Sequence, residues 1–306
     1  MPKADEAGNT VVRARALLPS LPPAEQRVAR RVIDDPVGVS VFTIAELAHA
    51  CGTSRTTVTR FCRALGFSGY PELRLRLATE AGRAERVDRE RPVSGDINPD
   101  DALTDVVEKI AFADARAVED TASQLDTAVL GRVIDAVVDA RRVDIYGVGA
   151  SAFVALDFQQ KLHRVGRVAY AWSDTHAALT SAALLTDRDV AVGVSHSGTT
   201  QDTIDALAEA RSRGATTVAL TNFPRSAICA VADLVLTTAA RETTFRSGAT
   251  ASRLAQLTVV DCVFVGVAQR TYDETLAGLA ATYNAVSSRR VQPGRALDVS
   301  HRRPGR

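Results

Sequence analysis

The sequence SHSGTT, residues 195–200, holds the side chains best suited to chemistry in this chain. Three of its hydroxyl side chains, Ser195, Ser197 and Thr200, lie close to a glycine, Gly198. An apolar run over 189–194 precedes them, and a helical pattern over 201–213 follows. The start of a helix favours an anion, because its first backbone N–H groups are unpaired and its dipole is positive there. Hydroxyl groups at this point, with a glycine that lets a ligand come close, therefore predict a phosphate-binding loop.

This loop differs from the nucleotide P-loop, which ends in Gly-Lys-Ser or Gly-Lys-Thr, because it contains no lysine. A Ser- and Thr-rich loop that binds no ligand is the alternative interpretation. His196 inside the loop could also act as an acid or base, since imidazole titrates near neutral pH. His176, which follows another apolar run, is a second candidate for contact with a ligand.

A second loop of this kind, GVGAS, begins at Gly147. Gly147 and Gly149 permit a tight turn and close approach of a ligand, and Ser151 lies at the start of the next helical pattern. The spacing of Gly147, Gly149 and Ala152 also satisfies a loose dinucleotide fingerprint. Asp174 would then be the required acid, and a regulator that binds NAD is therefore an alternative. That alternative leaves the hydroxyl groups of the first loop unexplained.

Apolar runs alternate with helical patterns in the second half of the chain: Val143–Tyr146, Val168–Ala171, Val190–Val194, Thr217–Leu220 and Leu234–Thr237. This alternation predicts an α/β domain with a parallel sheet of about five strands joined by crossover helices. A helical stretch from about residue 101 to Ala140 precedes the first run. Both hydroxyl-bearing loops follow predicted strands, and the carboxyl ends of neighbouring parallel strands meet at one crevice. The two loops are therefore expected to face the same ligand.

Residues 43–66, TIAELAHACGTSRTTVTRFCRALG, predict two short helices joined by a tight turn. Thr43 and Glu46 form a capping box at the start of the first helix. Gly52 ends that helix, and Ser54 is a favourable N-cap for the second. The second helix carries an apolar stripe at helical spacing, which predicts a buried face. The members of this stripe are Val58, Phe61, Cys62 and Leu65.

The opposite face of the second helix holds basic and hydroxyl side chains and no acid. The candidate DNA-binding residues are Ser54, Arg55, Thr56, Thr57, Thr59, Arg60 and Arg63. Arginine can bond phosphates or guanine edges, and threonine can contact phosphates or a thymine methyl group. Two helices, a tight turn and a basic outer face predict a helix-turn-helix domain, with a plain helical hairpin as the alternative.

The composition is that of a soluble globular protein, with 46% hydrophobic and 24% charged residues. The net charge of +1 gives no global sign of nucleic-acid binding, so that prediction rests on the local basic face. The four cysteines lack metal-ligand spacing and indicate reduced thiols. Apolar runs fall short of the roughly 18 residues of a membrane span, and the first residues do not resemble a signal peptide. We expect a cytoplasmic protein with no cofactor, no metal and no membrane contact.

These patterns divide the chain into four parts. We expect an all-α helix-turn-helix domain over residues 1–80, a linker over 81–100 and an α/β ligand-binding domain over 101–290. The linker prediction rests on mixed charges with Gly and Pro and few large apolar side chains. The tail, residues 291–306, is expected to be disordered.

The loop at 147–151 followed by the loop at 195–200 resembles the sugar isomerase (SIS) domain, a phosphosugar-binding fold. The sequence SRTTVTRFCRALGF, residues 54–67, resembles the recognition helix of the RpiR (MurR/RpiR) family of bacterial transcription regulators. Residues 246–261 resemble the late helix of that family's SIS domain. The effector-binding positions implied by the resemblance are Gly147, Gly149, Ser151, Ser195, His196, Ser197, Gly198, Thr200 and Glu242. The resemblance assigns phosphate contacts to Ser151, Ser195, Ser197 and Thr200, and only a backbone contribution to His196.

By that resemblance the chain is a bacterial transcription regulator that senses a phosphorylated sugar and controls carbohydrate-metabolism genes. Its partners would be a palindromic DNA operator, a sugar phosphate and further copies of itself. A homodimer or homotetramer is expected, since a two-fold operator needs two recognition helices. The rival is a sugar-phosphate isomerase of SIS fold, whose base would have to be Glu242, His176 or His196. An isomerase has no use for a helix-turn-helix, so no catalytic residue is predicted.

Overall fold

The computed structural model describes residues 10–88, 96–242 and 251–287. The first range is helical, and its helices are α1 (Thr10–Leu17), α2 (Pro23–Asp34), α3 (Pro36–Val41), α4 (Ile44–Ala50), α5 (Arg55–Ala64) and α6 (Tyr70–Asp88). They enclose a core of their own, in which Leu47 and Phe61 are fully buried. This range is therefore an all-α unit, as the sequence predicts.

The predicted pair of short helices, α4 and α5, is confirmed. Thr43 Oγ1 accepts a hydrogen bond from the Glu46 N–H at 3.3 Å, and Glu46 Oε2 accepts one from the Thr43 N–H at 2.7 Å. The turn passes through Gly52, whose φ of 56° lies in the left-handed region. Ser54 caps α5 by accepting a bond from the Thr57 N–H at 3.2 Å. The capping box and the second cap therefore fix where each helix begins.

Helix α6 continues to Asp88, so the first eight residues of the predicted linker at 81–100 are helical. Residues 89–95 of that linker, and the predicted tail at 291–306, lie outside the described residues.

The remaining described residues form an α/β unit. Its helices are α7 (Leu103–Gln124), α8 (Thr127–Asp139), α9 (Ala150–Arg164), α10 (Thr175–Ala182), α11 (Gln201–Ser212), α12 (Ala251–Arg270) and α13 (Tyr272–Ser287). Its strands are β1 (Arg142–Tyr146), β2 (Ala169–Trp172), β3 (Asp189–Val194), β4 (Thr216–Thr221) and β5 (Leu234–Thr237). The strands pair in parallel in the order β2-β1-β3-β4-β5, which confirms the predicted five-stranded sheet.

Strands β1, β3 and β4 extend the predicted runs by one residue at one or both ends, and two further elements differ from the sequence prediction. The helical stretch predicted from about residue 101 to Ala140 is two helices, because the Asp126 carboxylate starts α8. It accepts bonds from the N–H groups of Ala128 at 2.9 Å and Val129 at 3.0 Å. Strand β2 lies one residue later than the predicted run, since its register pairs Ala169 with Val143.

The sheet separates two apolar cores. Helices α8, α9 and α12 cover one face, where Ile145 and Val192 are buried. Helices α10 and α11 cover the other, where Tyr146 and Leu207 are buried. Since α9 leaves β1 on one face and α11 leaves β3 on the other, a crevice opens between the carboxyl ends of these adjacent strands.

Among the described helices, α12 alone is long and apolar enough to cross a membrane. Half of its apolar segment is buried within the protein, and Val259 and Val263 lie in the core beneath the sheet. This burial is typical of a core helix in an α/β domain.

Helix α1 contacts both folded units. The Glu80 carboxylate in α6 accepts bonds from the backbone N–H and the hydroxyl of Thr10. Farther along α1, Val12 and Ala16 are buried, and they line a small cavity together with residues 239–240, which follow β5. The helical unit therefore touches the α/β unit through α1.

Candidate functional site

The two predicted loops meet at the carboxyl ends of β1 and β3. One crevice of about 240 Å³ is lined by Ser151 from the loop after β1 and by Ser195, His196, Ser197 and Thr200 from the loop after β3. Its far wall is formed by Glu242, Ser252, Arg253 and Gln256. We call this space the effector crevice, and it brings together six of the nine predicted effector-binding residues.

The loop after β3 is held by its own hydroxyl groups. Ser195 Oγ accepts a bond from the Gly198 N–H at 3.1 Å and lies 3.0 Å from Thr200 Oγ1. Ser197 Oγ accepts bonds from the N–H and the hydroxyl of Thr199. Thr200 is the N-cap residue of α11, but its side chain makes no capping bond, so the first turn of that helix opens into the crevice. Backbone donors and hydroxyl groups therefore meet at one point.

Gly198 has no substitute at its position. Its φ is 65°, and a Cβ built there would lie 1.9 Å from Ser226 Oγ and 2.8 Å from Thr221 Oγ1. The Gly198 carbonyl also accepts a bond from the Ile228 N–H at 2.9 Å. The loop therefore packs closely against the segment that follows β4, and this contact fixes its position relative to the sheet.

The loop after β1 supplies a second helix N-terminus. Gly149 is the N-cap residue of α9 with φ 57°, and Ser151 lies in the first turn of that helix. Gly147 is packed tightly, since a Cβ there would lie 2.8 Å from the Ser151 carbonyl oxygen. Gly147, Gly149 and Gly198 do not line the crevice. Their role is to allow the backbone conformation of the two loops that form it.

The far wall holds an acid beside an imidazole. His196 Nε2 lies 3.9 Å from Glu242 Oε1, and Ser252 Oγ donates to the same oxygen at 2.5 Å. The His196 ring packs edge-on against Phe223, with ring centroids 5.7 Å apart. Burial lowers the pKa of His196, and the nearby Glu242 carboxylate opposes that shift. The lowered pKa favours the neutral form of the His196 imidazole at physiological pH.

The other two candidates, Asp174 and His176, lie outside the effector crevice, and so does a third residue, His163. The Asp174 carboxylate caps α10 by accepting a bond from the Ala177 N–H at 2.8 Å, so the acid of the dinucleotide fingerprint acts as a helix cap. His176 lies in α10 and does not line the effector crevice. His163 bonds the carbonyl of Ala169 at 2.7 Å, as befits an ordinary helix residue.

Sequence reasoning missed the contribution of α12 to the crevice, which consists of Ser252, Arg253 and Gln256. A signal was present, because Ser252 and Gln256 are polar residues spaced four apart in a helix whose other buried residues are Ala, Val and Gly. That spacing shows a shared face, but only the folded chain shows that this face meets the loops.

The second candidate site is the outer face of α5. Arg55, Thr56, Arg60 and Arg63 are exposed, while Val58 and Phe61 on the inner face are fully buried. Three of the predicted DNA-binding residues also support the helix: Ser54 and Thr57 in the cap, and Thr59, whose hydroxyl donates to the Arg55 carbonyl. The four exposed side chains form a basic surface free to meet a phosphate backbone.

A helix with a basic outer face in one unit, and a crevice at two helix N-termini in the other, are typical of a DNA-binding protein with a ligand-binding domain. The comparisons agree with that class. A family model described as SIS domain matches residues 136–266, and one described as helix-turn-helix domain, rpiR family, matches residues 10–83. The chain belongs to the RpiR family of HTH-type transcriptional regulators.

Its relatives carry the same two units in one chain. An uncharacterised HTH-type transcriptional regulator of Caldanaerobacter subterraneus is 36% identical over 277 residues, which is 90% of this chain and 96% of that protein. The HTH-type transcriptional regulator HexR of Pseudomonas aeruginosa is 33% identical over 263 residues, 86% of this chain and 90% of that protein.

A solved structure shares the fold over both units. The NanR protein of Vibrio vulnificus, complexed with ManNAc-6P, has a TM-score of 0.58 and 29% identity, covering 93% of this chain and 100% of that chain. The sugar isomerase domain of an RpiR transcription factor from Sphaerobacter thermophilus has a TM-score of 0.53 and 28% identity, covering 57% of this chain and 96% of that chain.

Proposed function

We propose that this protein is a bacterial transcription regulator that binds a sugar phosphate in the effector crevice and thereby changes its affinity for a DNA operator. The observation that carries the proposal is the hydroxyl cluster of Ser151, Ser195, Ser197 and Thr200 at the N-termini of α9 and α11. Two helix N-termini that converge on hydroxyl groups favour a doubly charged anion such as a phosphate. NanR, which shares this fold, is described with the sugar phosphate ManNAc-6P bound.

The charges of the crevice suggest how such a ligand is oriented. The loop end offers two helix N-termini and hydroxyl groups, whereas the far wall carries an acid, Glu242, and an exposed arginine, Arg253. The helix N-termini favour the phosphate, while sugar hydroxyl groups can donate to the Glu242 carboxylate and accept from the Arg253 guanidinium. The ligand therefore lies with its phosphate at the loops and its sugar near α12.

The proposed partners follow from the recognition helix. Each protomer carries one α5, so a two-fold operator requires a homodimer or homotetramer. The operator is then palindromic, and the regulated genes belong to carbohydrate metabolism. A regulator of this kind works in the cytoplasm.

Catalysis is not part of the proposed function. An isomerase needs a base beside C1 and C2 of the sugar, and His196 with Glu242 is the pair in the crevice that could supply one. The decisive assay is NMR of ribose, glucosamine and fructose phosphates incubated with the full chain. No product is expected, and turnover of about 1 per second or faster would establish the enzyme instead.

Thermal unfolding of the full chain with a panel of sugar phosphates tests ligand binding. A ligand at 100 times its Kd stabilises the folded protein by about 2.7 kcal/mol. Ser197→Ala removes one hydrogen bond to a charged group and is expected to weaken binding by about 1.5–3 kcal/mol in calorimetry.

The matched control is Ser212→Ala, since the Ser212 hydroxyl bonds only the Glu209 carbonyl at the far end of α11. It should bind as the parent does. Equal affinity of the parent and Ser197→Ala contradicts the phosphate assignment. A parent that no sugar phosphate stabilises contradicts the proposed function.

A further inference from the structure

Gln256 is a buried amide on the far wall of the effector crevice. Only 2% of its surface is exposed, and its Nε2 makes no hydrogen bond within the described residues. It lies one turn after Ser252 on the same face of α12. The neighbouring buried side chains of that helix, Ala255 and Val259, are apolar. A polar group therefore interrupts an apolar helix at the place where the helix meets the crevice.

A buried amide without a partner is costly. Leaving such a donor unsatisfied costs about 1–3 kcal/mol, so an apolar side chain of similar shape would suit the apo protein better. No oxygen within the described residues accepts from it, and the hydroxyl of Ser252, one turn earlier, donates to Glu242. His196 Nδ1, on the same crevice, is also buried without a partner in the described residues. The crevice thus holds two unused polar nitrogens, one on the far wall and one on the loop after β3.

We propose that Gln256 donates its amide N–H to an oxygen of the sugar part of the bound ligand and so discriminates among ligands that share a phosphate. This inference rests on the proposed function. The amide requires an acceptor at that point, which a hydroxyl or carbonyl oxygen supplies and a methylene group does not. The preferred class is therefore sugar phosphates that carry an oxygen there, and deoxy analogues bind more weakly.

The test compares Gln256→Met with the parent. Methionine is similar in size and flexible but apolar, so the variant removes the donor and keeps the volume. Its thermal stability is expected to equal or exceed that of the parent. Calorimetry should show the affinity for the tightest sugar phosphate of a panel reduced by about three- to tenfold, the range of one hydrogen bond. The affinity for inorganic phosphate should not change.

The matched control is Gln124→Met. Gln124 Nε2 is also buried without a partner among the described residues, but it lies at the end of α7 and does not line the crevice. This variant should bind both ligands as the parent does.

Each other outcome is decisive. An unchanged sugar-phosphate affinity in Gln256→Met, with or without a lower melting temperature, makes the amide structural and overturns the inference alone. An equal loss for inorganic phosphate places Gln256 at the phosphate and also overturns it. A parent that binds inorganic phosphate but no member of the panel (hexose, pentose and N-acetylhexosamine phosphates) overturns the proposed function itself.

A second, independent observation concerns residues 238–242, which we call the bridge segment. One end of it, Glu242, faces His196 in the crevice. Its middle, residues 239–240, lines a cavity with Val12 and Ala16 of α1. The segment therefore touches both the effector site and the helical unit that carries the recognition helix.

Hydrogen bonds run from the phosphate loop to the same segment. The His196 carbonyl accepts bonds from the Asn222 N–H at 3.0 Å and the Thr221 hydroxyl at 3.1 Å. Asn222 Oδ1 then accepts bonds from the Thr238 hydroxyl at 3.1 Å and the Ala240 N–H at 2.8 Å. A chain of hydrogen bonds thus joins the loop after β3 to the segment that packs against α1.

We infer that the bridge segment couples effector binding to operator binding. Val12→Ala weakens the contact between α1 and the bridge segment. Thr238→Val removes the hydrogen bond from the Thr238 hydroxyl to Asn222 without changing the size of the side chain. In either variant the ratio of operator Kd with and without the sugar phosphate should move at least threefold towards one. The effector affinity measured without DNA should stay close to that of the parent.

Val11→Ala is the control, because Val11 packs against the core of the helical unit. It should keep the parent's ratio. Parent-like ratios in both Val12→Ala and Thr238→Val overturn the coupling inference. A parent whose operator affinity ignores every bound sugar phosphate overturns the proposed function.

Discussion

In α5 the side chains that face solvent and those that hold the fold together lie on opposite faces of one helix. In the loop after β3, by contrast, the same side chains line the crevice and hold the loop together. Arg60 faces solvent and Phe61, its neighbour, is fully buried. Ser195 lines the crevice, is itself buried, and also holds the loop together. DNA recognition by α5 should therefore be separable from stability, while ligand binding by the loop after β3 should not be. Substitutions in the two regions test this difference.

The largest expected effect is Phe61→Ala. It removes a fully buried aromatic ring and leaves a cavity, which should destabilise the helical unit by about 3–5 kcal/mol. Denaturant unfolding measures the loss. If the loss is below about 1 kcal/mol, the inner face of α5 is not buried, and the division of α5 into a buried and an exposed face is wrong.

Next is Gly198→Ala, in the loop after β3. The positive φ alone should cost about 1–3 kcal/mol, and the clash with Ser226 adds to that. Gly149→Ala is the control, since its φ is also positive but no atom lies within 4 Å of the added Cβ. Unfolding curves should show that Gly198→Ala is less stable than Gly149→Ala. Equal losses in the two variants would mean that packing against Ser226 contributes nothing.

Arg60→Ala and Arg55→Ala should leave the melting temperature unchanged. An arginine that bonds a guanine should cost about 1–3 kcal/mol of operator binding and relax specificity at one position. An arginine that contacts only phosphate should weaken all sequences alike and make the salt dependence shallower.

Gel shifts at several salt concentrations separate these two cases. Arg30→Ala, an exposed arginine on α2, is the control for net charge. If both α5 variants bind the operator like the parent at every salt concentration, α5 is not the recognition helix.

The smallest expected effect is a pH dependence from His196. Burial lowers the pKa of its imidazole below the ordinary value of 6.5, so the unfolded chain binds a proton more readily. Stability is therefore full above about pH 6.5 and declines as the pH falls towards the pKa of the folded protein.

His196→Asn cannot take up that proton. Its melting temperature should fall less than that of the parent between neutral and mildly acidic pH. Parallel profiles for the two proteins would show that His196 titrates alike in the folded and unfolded states.

The sequence predicts the parts of these sites that depend on local pattern. The strand before Ser195, the cap at Ser54 and the buried stripe of α5 follow from spacing and turn chemistry over a few residues. The break between α7 and α8 has a local cause too, the cap at Asp126, although the surrounding pattern reads as one helix. The far wall is different, because Gln256 reaches the crevice only after α12 has packed on the sheet.

The contact between α1 and the bridge segment could not be predicted either, since it depends on how two folded units dock. It has a consequence for engineering. A chimera that joins the helical unit of this protein to the α/β unit of a relative, with its junction in the predicted linker, would place Val12 and Ala16 against a foreign surface. A working chimera therefore also needs this protein's residues at positions 222 and 238–240 in the α/β unit of the relative. The part to transfer is thus a contact surface, and a single junction in the chain is not enough.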